Sequence, residues 1–259
     1  MKEAAAMPTP RTADGHPDLS GFWVAAGGGR GGGGGGRGQD KAFTPDGRTV
    51  HPVAGAEEEE IAGDTAAVAR RKADASARPV YKTQFVAAAQ SNFDRASHID
   101  PAFRCQPDGV PRIGAPTEIF QHGDSVALLY QSGANNNVFR VVPTDNRPHD
   151  PDADEMANGD SVGHWDGDTL VIDVTTINPD TWLDGDGSFH DKDLHVTEKF
   201  TRQGNTLRYE MTADDPALFA QPFSPKPKMF ILGRPAQHAD ENYPCEENDQ
   251  EHLTSNERH

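Results

Sequence analysis

Cysteine, aromatic side chains, basic residues and long apolar runs are all scarce in this chain. Its two cysteines, Cys105 and Cys245, stand 140 positions apart. They allow one disulfide closing a very long loop, or two free buried thiols. Paired CxxC motifs and HExxH are both missing, so no established zinc pattern is present. Twenty-four Lys and Arg face 41 Asp and Glu, leaving a formal net charge of -17. A field of that sign repels phosphate backbones and anionic membrane surfaces, which argues against nucleic-acid partners. No apolar run approaches the roughly 20 residues of a membrane helix, which argues against membrane insertion. The opening MKEAAAMPTP has no apolar core of a signal peptide. With only 34% hydrophobic residues, the expected core is that of a compact domain of roughly 150 residues, carrying long polar loops.

Glycine, proline and short alternating segments are plentiful. Residues 1–54 read as an irregular arm whose stretch from Gly27 to Gly38 is interrupted only by Arg30 and Arg37. Ordering such a run costs maximal backbone entropy, and no strand and helix flank it as a phosphate-binding loop requires. Within the arm, Asp18 to Trp23 reads as a short apolar plug. Residues 55–98 read as helical. Glu57 to Glu60 open the segment and Arg70, Arg71 and Lys72 follow, the order that suits a helix dipole; Pro79 interrupts it, and a shorter helical piece is expected around Thr83–Phe93.

From residue 99 to 259 the period becomes two. Strands are expected at Thr117–His122, Ser125–Gln131, Asn137–Pro143, Asp160–Trp165, Asp168–Thr176, Leu194–Arg202, Asn205–Ala213 and Lys228–Leu232. Gly123-Asp124, Asp166-Gly167 and Gln203-Gly204 are the expected turns. Short strands, tight turns and no interleaved helices predict an antiparallel barrel, lipocalin-like in general form and closed around a cavity, or a sandwich.

Alternation also sorts the polar residues. Glu198 shares a face with Leu194, Val196 and Phe200, where a carboxylate is costly unless paired or facing a cavity. It is either the buried partner of an arginine such as Arg140 or Arg208, or a catalytic or ligand-binding carboxylate. Asp173 is a second candidate base. His190, at the end of the loop Asp184-Gly185-Asp186-Gly187-Ser188-Phe189, and His195, at the start of a strand, are expected to meet at a barrel mouth. Imidazole as a side chain ordinarily titrates near neutrality. Arg140 and Arg147 are candidate oxyanion holders, and His149, His164, Trp165 and Tyr209 complete the candidate substrate-binding set. His190, His195 and Glu198 leave a divalent metal open; no other cofactor is implied. Ser161, in Gly159-Asp160-Ser161-Val162-Gly163, resembles a nucleophile elbow but lacks the strand-to-helix context.

The stretch from Gly159-Asp160-Ser161-Val162-Gly163-His164-Trp165-Asp166-Gly167-Asp168-Thr169-Leu170 to Asp173, with Phe189-His190 and Leu194 to Arg202, resembles a large group of uncharacterised exported bacterial proteins. Pro10 to Trp23, Pro143 to His149, Glu210, Asp215-Pro216 and Tyr243-Pro244-Cys245 extend the likeness. The resemblance implies no activity. It implies export, hence a periplasmic or secreted protein with Cys105 bonded to Cys245. Two functional readings stand: an acid–base lyase, isomerase or hydrolase acting on a small organic substrate, and a non-catalytic binding protein for a small hydrophobic ligand. A structural or interaction module without a cavity is a third.

Overall fold

The structure is a computed structural model that describes residues 2–26, 78–132 and 136–239. Nine strands form one antiparallel sheet. They are β1 (Gly21–Ala25), β2 (Glu118–His122), β3 (Ser125–Ser132), β4 (Asn136–Pro143), β5 (Asp160–Asp166), β6 (Thr169–Thr175), β7 (His195–Gln203), β8 (Thr206–Asp214) and β9 (Lys228–Leu232). The order across the sheet is β4-β3-β2-β1-β9-β8-β7-β6-β5. The sheet curls into a nearly closed barrel, as the alternating pattern predicts. β4 and β5, the two ends of that order, approach each other at a seam. There the Asn146 N–H donates to the Gly163 carbonyl at 3.0 Å, and Arg140 Nη1 donates to Ser161 Oγ at 3.2 Å.

β7 shows how the sequence sets the inside. Val196, Glu198, Phe200 and Arg202 are buried while His195, Lys199 and Gln203 are exposed. Leu170, Ile172 and Val174 of β6 and Leu128 and Tyr130 of β3 face the same interior. Each fully buried Leu, Ile or Phe contributes about 1.5–3 kcal/mol relative to exposure. All eight expected strands are present with ends shifted by a residue or so.

Two expectations need correction. Two of the turns sit one residue later than Asp166-Gly167 and Gln203-Gly204: Asp166 pairs with Thr169 and Gln203 with Thr206, so the loops are Gly167-Asp168 and Gly204-Asn205. Gly123-Asp124 lies as expected, between His122 and Ser125. In all three the glycine comes first and takes positive φ, which suits a two-residue hairpin led by glycine.

The second correction concerns the arm. Gly21–Ala25 is a strand in the middle of the sheet, so the first residues are not irregular throughout. β1 pairs with β2 through Gly21 and Phe22 and with β9 through Trp23, Val24 and Ala25. The preceding residues are also anchored: Arg11 forms a bidentate pair with Asp168, and Trp23 Nε1 donates to the Leu19 carbonyl at 3.0 Å.

The α-helices among the described residues are α1 (Lys2–Ala5) and α2 (Val86–Ile99), with 3-10 turns at Thr83–Phe85 and Pro101–Arg104. α2 extends the helical piece expected around Thr83–Phe93, and its Asn92 meets the Gly187 carbonyl outside the barrel. The glycine run, the helix expected from residue 55 and Cys245 lie outside the described residues.

Candidate functional site

Glu198 is 1% exposed and forms an ion pair with Arg140 at 2.5 Å. Tyr209 Oη donates to its other oxygen at 3.0 Å, and Arg140 also reaches Tyr130 Oη. Burial would lower the Arg140 pKa, but Glu198 outweighs it and holds the cation. The Tyr209 hydroxyl is pushed well up, first by burial and then by the nearby Glu198 charge. Glu198 is therefore the buried partner of an arginine, and Arg140 is the arginine. These four side chains, with Phe200 and Leu128, occupy the barrel interior at this level.

The space opens sideways, at the seam. Between β4 and β5 lies a groove of about 600 Å³. Its wall carries Phe139, Val141 and Met156, which are 69%, 61% and 61% exposed. Arg140 and Ser161 also line it, joined by their 3.2 Å hydrogen bond. Asn158 lines it as well, and its carboxamide oxygen is buried without a hydrogen-bond partner. Alternation explains the division: Phe139 and Val141 point out from β4 while Arg140 and Val142 point in.

At the rim stands a chain of imidazoles and carboxylates. His149 Nδ1 bonds Asp160 Oδ2 at 2.6 Å and its Nε2 bonds Asp173 Oδ2 at 3.0 Å. His195 Nε2 bonds the other oxygen of Asp173. Partial burial would lower the His149 pKa, but the hydrogen bonds to Asp173 and Asp160 outweigh it and hold it above the ordinary value. Both nitrogens of His149 are engaged, so protonation leaves a cation clamped between two carboxylates. Asp160 lines the groove; Asp173 and His195 lie behind it on β6 and β7.

Other predicted residues go elsewhere. His190 is buried, with Nε2 against Thr181 Oγ1 at 3.0 Å and Nδ1 against the Asp191 carbonyl at 2.9 Å. Burial lowers its pKa against the opposing pull of that backbone bond and of the Asp215 and Asp191 charges. His190 and His195 hold different partners: His190 faces Thr181 and the Asp191 carbonyl, and His195 faces Asp173. Trp165 stacks on His16 at 4.5 Å between ring centres. Arg147 is exposed and bidentate to Asp145, though it lines the groove. His164 is half-buried on β5.

The chain matches no protein-family model, no curated protein and no solved structure.

His190, His195 and Glu198 are each committed to different partners, and no group of three or more His, Cys, Asp or Glu among the described residues is arranged to hold a metal ion. Tyr130, Phe139, Val141, Met156, Asn158 and Asp160 are the site residues missed from sequence. Tyr130 carried a signal, because it continues the inward row of Val126 and Leu128. Asn158 lies in a loop, where no periodicity marks it.

Proposed function

We propose that the protein binds a small, largely apolar organic molecule in the groove between β4 and β5. The observation that carries this reading is the exposed row of Phe139, Val141 and Met156 beside an opening of about 600 Å³. That volume falls within the range of small-molecule sites, which combine apolar walls with a few placed polar groups. Exposed apolar side chains clustered around a concavity mark interaction sites more often than chance. The titratable groups nearby are each held by a partner, which suits orientation of a ligand better than proton transfer to it.

The test uses Nile red, a neutral apolar dye, with the full chain. Wild-type protein should raise its fluorescence, and Phe139→Ser with Val141→Ser should weaken binding at least fivefold. Both residues are exposed, so the fold should survive, as circular dichroism will register. Undiminished binding in that variant defeats the proposal.

An acid–base enzyme working in the same groove is the second reading. It is favoured by the run Asp160–His149–Asp173–His195, which links the groove to an exposed imidazole and is a plausible proton path. It requires turnover of a small organic substrate such as an ester, lactone or cyclic enone, abolished by Asp160→Asn while dye binding persists. Failure across such a panel, with dye binding intact, leaves the binding reading.

A further inference from the structure

We infer that the ligand of this groove carries a positively charged, hydrogen-bond-donating nitrogen: a small apolar amine and not an acid. The inference rests on the groove being a binding site, and it comes from which polar atoms there are already engaged. Both guanidinium groups that line the groove are neutralised. Arg140 is ion-paired to Glu198. Arg147 gives its Nε and Nη2 to Asp145 at 2.8 and 2.7 Å. A ligand anion would have to compete with Glu198 for Arg140 and with Asp145 for Arg147.

Two acceptor atoms there are uncommitted. Asn158 Oδ1 is buried and accepts no hydrogen bond. Asp160 takes both of its bonds, from His149 and from the Asp150 N–H, on Oδ2; its Oδ1 accepts none among the described residues. An unsatisfied buried acceptor is destabilising, so a ligand N–H that reaches Asn158 recovers an interaction the free protein forgoes. A carboxylate ligand would leave that oxygen unpaired and add a charge beside Asp160.

The wider field has the same sign. The loop from Pro148 to Gly159, which borders the groove, carries exposed Asp150, Asp152, Asp154 and Glu155 and no Lys or Arg. The whole chain is at -17. Acidic walls around a cleft raise the local concentration of cations and disfavour anions. The apolar wall of Phe139, Val141 and Met156 then holds the body of the molecule.

Three probes of similar body and different head test this: 2-phenylethylamine, 2-phenylethanol and 3-phenylpropanoate. Each is titrated into the isotope-labelled full chain while the backbone amides of Val138–Val141 and Asn158–Val162 are followed by NMR. The amine should bind at least tenfold more tightly than the acid, with the alcohol between. Asn158→Leu and Asp160→Asn should each narrow that preference, and Phe139→Ser should weaken all three probes alike. If the three bind equally at those amides, or the acid binds best, the amine inference fails while the groove reading stands. If no probe moves those amides, both fail. A preference that persists undiminished in both Asn158→Leu and Asp160→Asn overturns the assignment to these two acceptors.

Discussion

Replacing Glu198 by Leu removes the anion of a pair whose members are both almost fully buried. The Arg140 guanidinium would keep Tyr130 Oη and Ser161 Oγ but no compensating charge. Tyr209 would lose the acceptor of its hydroxyl. Breaking one side of a buried pair costs about 3–5 kcal/mol, because the surviving charge stays desolvated. With roughly 2–4 °C of Tm per kcal/mol for a domain of this size, the melting temperature should drop by on the order of 10 °C. Arg140→Met should cost a similar amount, since Glu198 would then keep only Tyr209. The double variant, Arg140→Met with Glu198→Leu, replaces both charges by apolar volume. It should return to within about 1–2 kcal/mol of wild type, as such replacements often do. Urea unfolding followed by circular dichroism on all four proteins closes the cycle. Single variants that each lose less than about 1 kcal/mol, or a double variant whose loss is the sum of the two singles, would refute the argument that desolvation dominates here.

Three further outcomes are expected. His149 has a folded pKa above its ordinary value, so its stabilising contribution is complete below the ordinary imidazole pKa of about 6.5 and is lost as pH rises through the raised value. The Tm difference between wild type and His149→Gln should therefore shrink with rising pH, and a constant difference would contradict the clamp. His190→Ala should destabilise by about 1–3 kcal/mol, because it strips a buried partner from Thr181, whereas exposed His195→Ala should change stability by less than about 0.5 kcal/mol; thermal unfolding of the two separates them, and equal effects would defeat the contrast. We propose that Cys105 and Cys245 are joined, so non-reducing mass spectrometry should find two fewer hydrogens than in the dithiol protein, and two alkylatable thiols would rule this out.

How much could be read in advance depended on whether the cause was local. Alternation placed every strand from Glu118 to Leu232 and turned Glu198 inward, because a strand with one buried face carries its own record of which side is which. It also suggested an arginine partner for Glu198, with Arg140 and Arg208 as examples, of which Arg208 lies outside with Glu210. The seam left no such trace. Arg140 and Ser161 meet because the two ends of the sheet order curl together, and no pairing rule along the chain announces that. β1 was hidden by its brevity and by its place ahead of a glycine-rich run: five residues led by Gly21, whose φ is 137°, give too little alternation to register. His149 was among the candidates, but its clamp between Asp160 and Asp173 required the loop before β5 to fold back over β5 and β6.

The position of β1 bears on synthesis. It is the sole ladder connection between β2–β4 and β5–β9 among the described strands, yet its partner β9 lies about 200 residues further along the chain. At roughly 5–20 residues per second, the first strand leaves the ribosome some tens of seconds before the strand it must join. During that interval β1 can pair with β2, and β2 with β3 and β4, while β1 still presents an open edge, which is the configuration most prone to pairing with a neighbouring chain. The barrel can thus close only after β9 has been made, and until then the edge of β1 that faces β9 stays unpaired.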